Sequence, residues 1–259
     1  MTNFALITEG ITDQIIIENI LKGYFYTNKD DMDFNPLQPS RDNTDTNYGN
    51  WLDGYCVSSK FRGPLQPFRG PLQPSSTNYG NWLNVFEYCG SSNFRGACQY
   101  DGYIIIQIDT DISEEKHYDV LKYENGVELT PEELIKKVIS KFKEIIGTEV
   151  YEKYQDKIIF AISVHSIECW LLPLYYDDNR KAKLPNCDNT VDEKLKKSKS
   201  KIRLKNKQGK KNVDSYREIS KEYCKHKILM KLYPENPSLK IFIEEVEKKN
   251  IIIEDEDDF

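Results

Sequence analysis

The sequence predicts an α/β fold, a mainly parallel sheet flanked by helices, and three short apolar runs are the basis for it. Phe4-Ala5-Leu6-Ile7, Tyr103-Ile104-Ile105-Ile106-Gln107-Ile108 and Ile158-Ile159-Phe160-Ala161-Ile162 are continuous rather than alternating, which is how strands covered on both faces read. Each run stops at polar residues, and helical patterns lie between them in the β-α-β-α order of a parallel sheet.

The first run passes through Thr8-Glu9-Gly10 into a helix that Thr12-Asp13 is expected to cap and that extends to Lys22, burying Ile15, Ile16, Ile20 and Leu21. From about 28 to 99 the composition shifts to Pro, Gly, Ser and Asn, and the sequence repeats itself. Residues 46–52 recur as 77–83, 55–63 as 88–96 with two changes, 61–67 as 68–74, and 36–40 as 71–75. Two close copies of unequal length indicate a local duplication, not a solenoid, which needs at least three stacked units. The second copy, next to the following strand, is expected in the core, with 83–90 as the sheet's missing strand and the first copy as an inserted hairpin or loop. The Trp51/Trp82 and Tyr48/Tyr79 pairs could stack on bases, or form local core.

Downstream, Thr130-Pro131-Glu132-Glu133 is a capping sequence with Pro at the first helical position. Leu134, Val138, Phe142, Ile145 and Ile146 then hold helical spacing up to Gly147. After the third strand a helix is expected from about 166 to 175, with Trp170, Leu171 and Leu172 in the core. Beyond 180 the chain reads as charged helix, including about 215–232 and 237–249. The expected organisation is one α/β domain over 1–179, carrying the 28–99 insertion, and a basic, mostly helical extension over 180–259.

At 259 residues, 39% hydrophobic and 30% charged, the chain can bury a sizeable core, and no run approaches the roughly 20 apolar residues of a membrane span. The start, Met1-Thr2-Asn3-Phe4, lacks the basic region of a signal peptide, so a cytoplasmic location without membrane contact is expected. Cys56, Cys89, Cys98, Cys169, Cys187 and Cys224 form no CxxC pair, which argues against a zinc ribbon, and in a reducing compartment they are expected as thiols. His165 reads as a buried or rim histidine, and His117 and His226 belong to no constellation.

The chemistry concentrates where strands end. If the three strands lie parallel, Glu9, Asp109 and Asp111 converge on one rim, where their repulsion requires a cation or a raised pKa. Period-2 alternation would turn Asp109 and Asp111 to the same side. Oxygen ligands without Cys or His favour magnesium or manganese.

Glu9-Gly10 after the first strand and Asp109-Thr110-Asp111 after a later one resemble the Toprim fold, a Rossmann-like domain of topoisomerases, bacterial primases, small maturation ribonucleases and nucleases of the overcoming-lysogenization-defect type. Ser163-Val164-His165-Ser166-Ile167-Glu168-Cys169-Trp170 is similar to the Ser/His-x-Glu-x-Trp element of the last group and of small standalone Toprim-like proteins, several of which act in anti-phage defence. The resemblance covers roughly residues 1–176 and implies a Mg2+- or Mn2+-dependent nuclease acting on DNA or RNA, tRNA included. It implies Asp109 and Asp111 as metal ligands, Glu9 as a further ligand or proton acceptor, and Glu168 as support for a second metal. A defence role follows at family level only. Topoisomerase and primase chemistry are disfavoured by the missing tyrosine-bearing domain and zinc ribbon. The alternatives are a catalytically weak regulatory or binding partner of an ATPase, and a different phosphotransfer enzyme on the same rim; a homodimer is compatible with either. No GxxxxGK[ST] motif occurs in the chain itself.

Net charge is -6, but residues 194–211 carry ten Lys or Arg and no acid. Lys196, Lys197, Lys199, Lys201, Arg203 and Lys205 are the candidate phosphate-tracking residues, since each neutralised phosphate releases counterions; the alternative is a solvated charged face.

Overall fold

The computed structural model describes residues 2–41 and 82–253. Its centre is a four-stranded sheet in the order β2-β1-β3-β6, every neighbouring pair parallel, from β1 (Thr2–Ile7), β2 (Met32–Gln38), β3 (Tyr103–Asp109) and β6 (Ile158–Ser163). β4 (Tyr123–Glu124) and β5 (Val127–Glu128) form a separate antiparallel hairpin. Alternation along each strand divides the core in two. Phe4, Leu6, Ile105 and Ile159 belong to one cluster, and Ala5, Ile7, Ile104, Ile106 and Ile158 to the other. Both faces are covered, which accounts for the continuous apolar runs.

On the first face lies α1 (Ile11–Tyr24), burying Ile16, Ile17, Ile20 and Leu21. With it pack α7 (Cys187–Lys197), α8 (Val213–Ser220), α9 (His226–Leu232) and α10 (Pro237–Lys248). The region from 180 onward is therefore part of the layer that covers the sheet: Tyr216, Tyr223, Leu229 and Phe242 share one core with Phe4 and Leu6. Trp170 is wholly buried there, stacked on Phe242 at 5.3 Å, with its indole N–H donated to Ser238 Oγ at 2.8 Å. The expected 166–175 helix is a 3-10 turn, Ile167–Leu171, followed by the short α6 (Leu172–Tyr175). The expected 215–232 helix is broken by a 3-10 turn, Lys221–Cys224, between α8 and α9.

The opposite face carries α2 (Trp82–Cys89), α3 (Ser92–Tyr100) and α4 (Pro131–Ile146), with α5 (Thr148–Tyr154) at its margin. α4 follows the sequence closely: Glu133 N donates to Thr130 Oγ1 at 3.3 Å, and Glu133 Oε2 accepts from Thr130 N at 2.9 Å.

Three expectations are corrected. The 83–90 stretch is helix α2, not a strand, because Val85, Phe86 and Cys89 bury one helical face. The missing strand is β2, an edge strand whose Pro36 is tolerated at that position; the 28–99 stretch thus supplies β2, α2 and α3. The thiol expectation fails at Cys169 and Cys187, which form a disulfide with a Cα–Cα distance of 4.9 Å; Cys89, Cys98 and Cys224 are free. The second copy does reach the core, through Val85, Phe86 and Phe94. Trp82 packs against Phe86 and Tyr118 at 5.7 and 5.6 Å, in its local-core role. Residues 42–81, with most of the first copy and Tyr48, Trp51 and Tyr79, lie outside the described residues. No helix among the described residues is long and apolar enough to cross a membrane.

Candidate active site

The strand order fixes where a site can form. From β1 the chain crosses by α1 on one face to β2, and returns to β3 through α2 and α3 on the other. The carboxyl ends of β1 and β3 therefore flank a topological switch point, the crevice where parallel α/β sheets bind ligands. Glu9 follows β1 and Asp109 ends β3.

Backbone and side chains tie these two ends together. Asp109 N donates to Glu9 Oε1 at 2.7 Å, and Glu9 N donates to Gln107 Oε1 at 3.1 Å. Gln107 Nε2 and Ile167 N both donate to Asp109 Oδ1, at 2.9 and 3.0 Å. β6 joins through His165, whose carbonyl accepts from Thr110 N and Asp111 N at 3.0 Å each and whose N–H reaches Thr110 Oγ1 at 2.8 Å. His165 does this with φ at 66°, a left-handed conformation that is costly for a residue with a side chain. β3 stops at Asp109, so strand alternation does not govern Asp111. It begins a turn and is exposed, whereas Asp109 is buried.

Two residues that the sequence reading did not place here complete the cluster. Asp13, expected as a helix cap, lies buried in the first turn of α1, whose N-cap is Gly10 with no side-chain cap. A Cβ on Gly10 would come within 3.0 Å of Asp13 Oδ2, so glycine there leaves room for the carboxylate. Lys211 arrives from the far end of the sequence on a hairpin in which Lys205 bridges to Lys211 and Asn206 N donates to Lys210 O at 2.8 Å. Its Nζ is 2.7 Å from Glu168 Oε1 and 3.8 Å from Asp13 Oδ1. Tyr216 OH also donates to Glu168.

These distances sort the carboxylates. Glu168, though only 2% exposed, is held down to about 2: desolvation opposes its charge, but Lys211 and the Tyr216 hydrogen bond outweigh it. Asp13, farther from the lysine, is pushed up to about 6 by burial, with Glu168 adding to the rise and Lys211 opposing it. Glu9 is pushed up to about 8 by burial and then by Asp13 and Asp111, against the Asp109 N–H. Asp109 is raised by burial and by Glu9. Desolvation works against the charge on Lys211, yet Glu168 and Asp13 keep its pKa above the usual lysine range. One ammonium thus serves Glu168 well and leaves Glu9, Asp13 and Asp109 crowded.

Crowded carboxylates, with no Cys or His among them, have the donor chemistry of a hard divalent cation. Among the described residues no group of three or more His, Cys, Asp or Glu is placed to cage a metal. Of the predicted basic residues, Lys196, Lys197, Lys199, Lys201, Arg203 and Lys205 are all exposed, at the end of α7 and in the loop after it. Lys205 is paired with Asp188 at 2.7 Å. Arg203 Nη1 donates to the carbonyls of Ser200 and Ile202 at 2.8 and 2.6 Å. No family model matches the chain, and neither does any curated protein or solved structure.

Proposed function

We propose that this acidic centre belongs to a Toprim-like nuclease that hydrolyses phosphodiester bonds in DNA or RNA with Mg2+ or Mn2+. The observation that carries the reading is the crowd of under-compensated carboxylates, Glu9, Asp13 and Asp109, at the switch point of a parallel sheet. Glu9 and Asp109 would hold the ion, since Mg2+ takes only one or two carboxylates from a protein, and Asp111 would add its charge from the exposed turn. When bound, the ion would supply Lewis acidity toward the scissile phosphate and a lower pKa for a bound water. Glu9 Oε1 is occupied by the Asp109 N–H, so Oε2 is the atom left to ligate or to take a proton. A carboxyl raised to about 8 suits proton exchange near neutral pH. Glu168 fixes Lys211 at the rim, where an ammonium can face substrate phosphate.

The test is cleavage of plasmid, single-stranded DNA and tRNA with Mg2+ or Mn2+, against EDTA, for the wild type, Glu9→Ala and Asp109→Ala. Metal-dependent cleavage that both substitutions abolish, in proteins whose circular dichroism is unchanged, is the expected result. Failure of the wild type to cut any of the three substrates with either metal overturns the proposal.

A further inference from the structure

The basic stretch 194–211 is divided by the fold. Lys211 turns into the acidic centre, Lys205 onto Asp188 and Arg203 onto its own backbone. Lys194 and Lys197, three residues apart in the last turn of α7, instead line a cavity of about 320 Å³ with Arg180, Tyr176 and Ser198. Arg180 and Lys194 were not among the candidate residues read from sequence.

The cavity is organised by its aromatic ring. The Arg180 guanidinium carbon lies 4.1 Å, and Lys194 Nζ 5.0 Å, from the Tyr176 ring centroid. The ring is itself fixed, because Tyr176 OH donates to Thr190 O at 2.9 Å. Cations held against a ring lose less freedom when they meet an anion. No carboxylate lines the cavity, although Asp178 beside it accepts from Arg180 Nε at 2.9 and 3.0 Å and forms an ion pair with its Nη2, so that the cavity's excess charge comes from Lys194 and Lys197.

Two other cavities differ in this respect. In the one between β4 and α4, Lys137 is 3.4 Å from Glu124 and Lys141 is 3.8 Å from Asp119. The one beneath α10 is floored by Phe160, Ile162 and Phe242, with Glu132, Glu244 and Glu245 among its rim. The cavity at Tyr176 is the one of the three in which cations are left facing an opening without an acid in the lining.

We propose that Arg180, Lys194 and Lys197 over Tyr176 seat a backbone phosphate of the nucleic-acid strand, at a place separate from the acidic centre. The proposal rests on the reading of the substrate as nucleic acid. The seat anchors a strand without reading its sequence, because phosphate contacts position and carry no base information.

The test is binding of a fluorescent single-stranded oligonucleotide in EDTA, measured across a salt series for wild type, Lys194→Gln/Lys197→Gln and Lys194→Arg/Lys197→Arg. With a slope of about -0.7 in log K against log salt per single-strand phosphate neutralised, losing the one seated phosphate flattens the dependence by about 0.7. The Arg pair is expected to keep the wild-type slope. Equal slopes for wild type and the Gln pair overturn the seat, whether or not the protein cleaves. Inorganic phosphate that binds wild type but not the Gln pair, with oligonucleotide slopes equal, assigns a free phosphate and also overturns it. A slope difference in a protein that cuts nothing keeps the seat and removes the nuclease reading.

Discussion

Replacing Glu9 by Gln removes a partly buried titratable carboxyl but keeps an acceptor for the Asp109 N–H, so it isolates the electrostatic strain of the centre. The carboxyl has an ordinary pKa of 4.5 and about 8 in the fold. A raised acid costs stability wherever the unfolded chain has ionised and the folded one resists. The penalty is absent below 4.5, grows as pH rises, and levels off above about 8. At pH 7 the difference spans about 2.5 pK units, or roughly 3 kcal/mol, which partial exposure of Glu9 lowers to about 2. Glu9→Gln is therefore expected to be more stable than wild type by about 2 kcal/mol at pH 7, or roughly 4 to 8 °C in Tm for a chain of this size. Thermal melts followed by circular dichroism in EDTA at pH 4, 6 and 8 read this directly, with the curves converging at pH 4. Millimolar Mg2+ or Mn2+ is expected to raise the wild-type Tm and to raise that of the variant less, because the ion takes over the same charge. Identical melts at pH 8, or a gap that widens toward pH 4, would refute the reasoning.

Lys211→Met removes the counter-charge from Glu168 and Asp13. Breaking a buried pair costs about 3 to 5 kcal/mol, and since the lysine side chain is 38% exposed the expected loss is nearer 2 to 3 kcal/mol by the same principle. Glu168 is depressed from 4.5 to about 2, so its contribution is full above 4.5 and disappears as pH falls toward 2; urea unfolding should show the variant's deficit at pH 7 shrinking at pH 4. A deficit independent of pH would assign the lysine to packing alone. At Gly23 a Cβ would sit 1.8 Å from Tyr223 O, backbone against backbone, while nothing lies within 4 Å of one at Gly96. Gly23→Ala is expected to destabilise by about 3 kcal/mol or more, whereas Gly96→Ala, inside α3, should gain up to about 1 kcal/mol from helix propensity; equal Tm values would contradict the close approach.

The parts of the fold legible in the sequence were those where local composition and burial agree. β1, β3 and β6 are buried on both faces and appear as unbroken apolar runs, and α4 announces itself through Thr130 and Glu133. β2 gave no such signal, because an edge strand containing Asp33, Asn35 and Pro36 has little apolar character. Residues 83–90 have the composition of a strand but the period of a helix: Val85, Phe86 and Cys89 recur at helical spacing. In the candidate site, Glu9 and Asp109 could be paired because each sits where an apolar run stops. Asp13 was visible four residues after Glu9 but was absorbed into a capping role. Lys211 had no local mark at all within a run of ten basic residues; only the hairpin that returns it to Glu168 sets it apart.

The layer over α1 has a temporal consequence. Asn19 Nδ2 donates to Ser220 Oγ at 2.8 Å and His226 Nδ1 meets Gly23 O at 2.9 Å, contacts that span 201 and 203 positions of chain. During synthesis this βα unit therefore leaves the ribosome with its apolar flank uncovered, and waits for the next 201 to 203 positions of chain before α8 and α9 can close over it. Contacts of such long range slow folding and prolong exposure to aggregation. The acidic crevice shares that delay, since Lys211 reaches Glu168 only in the same late step.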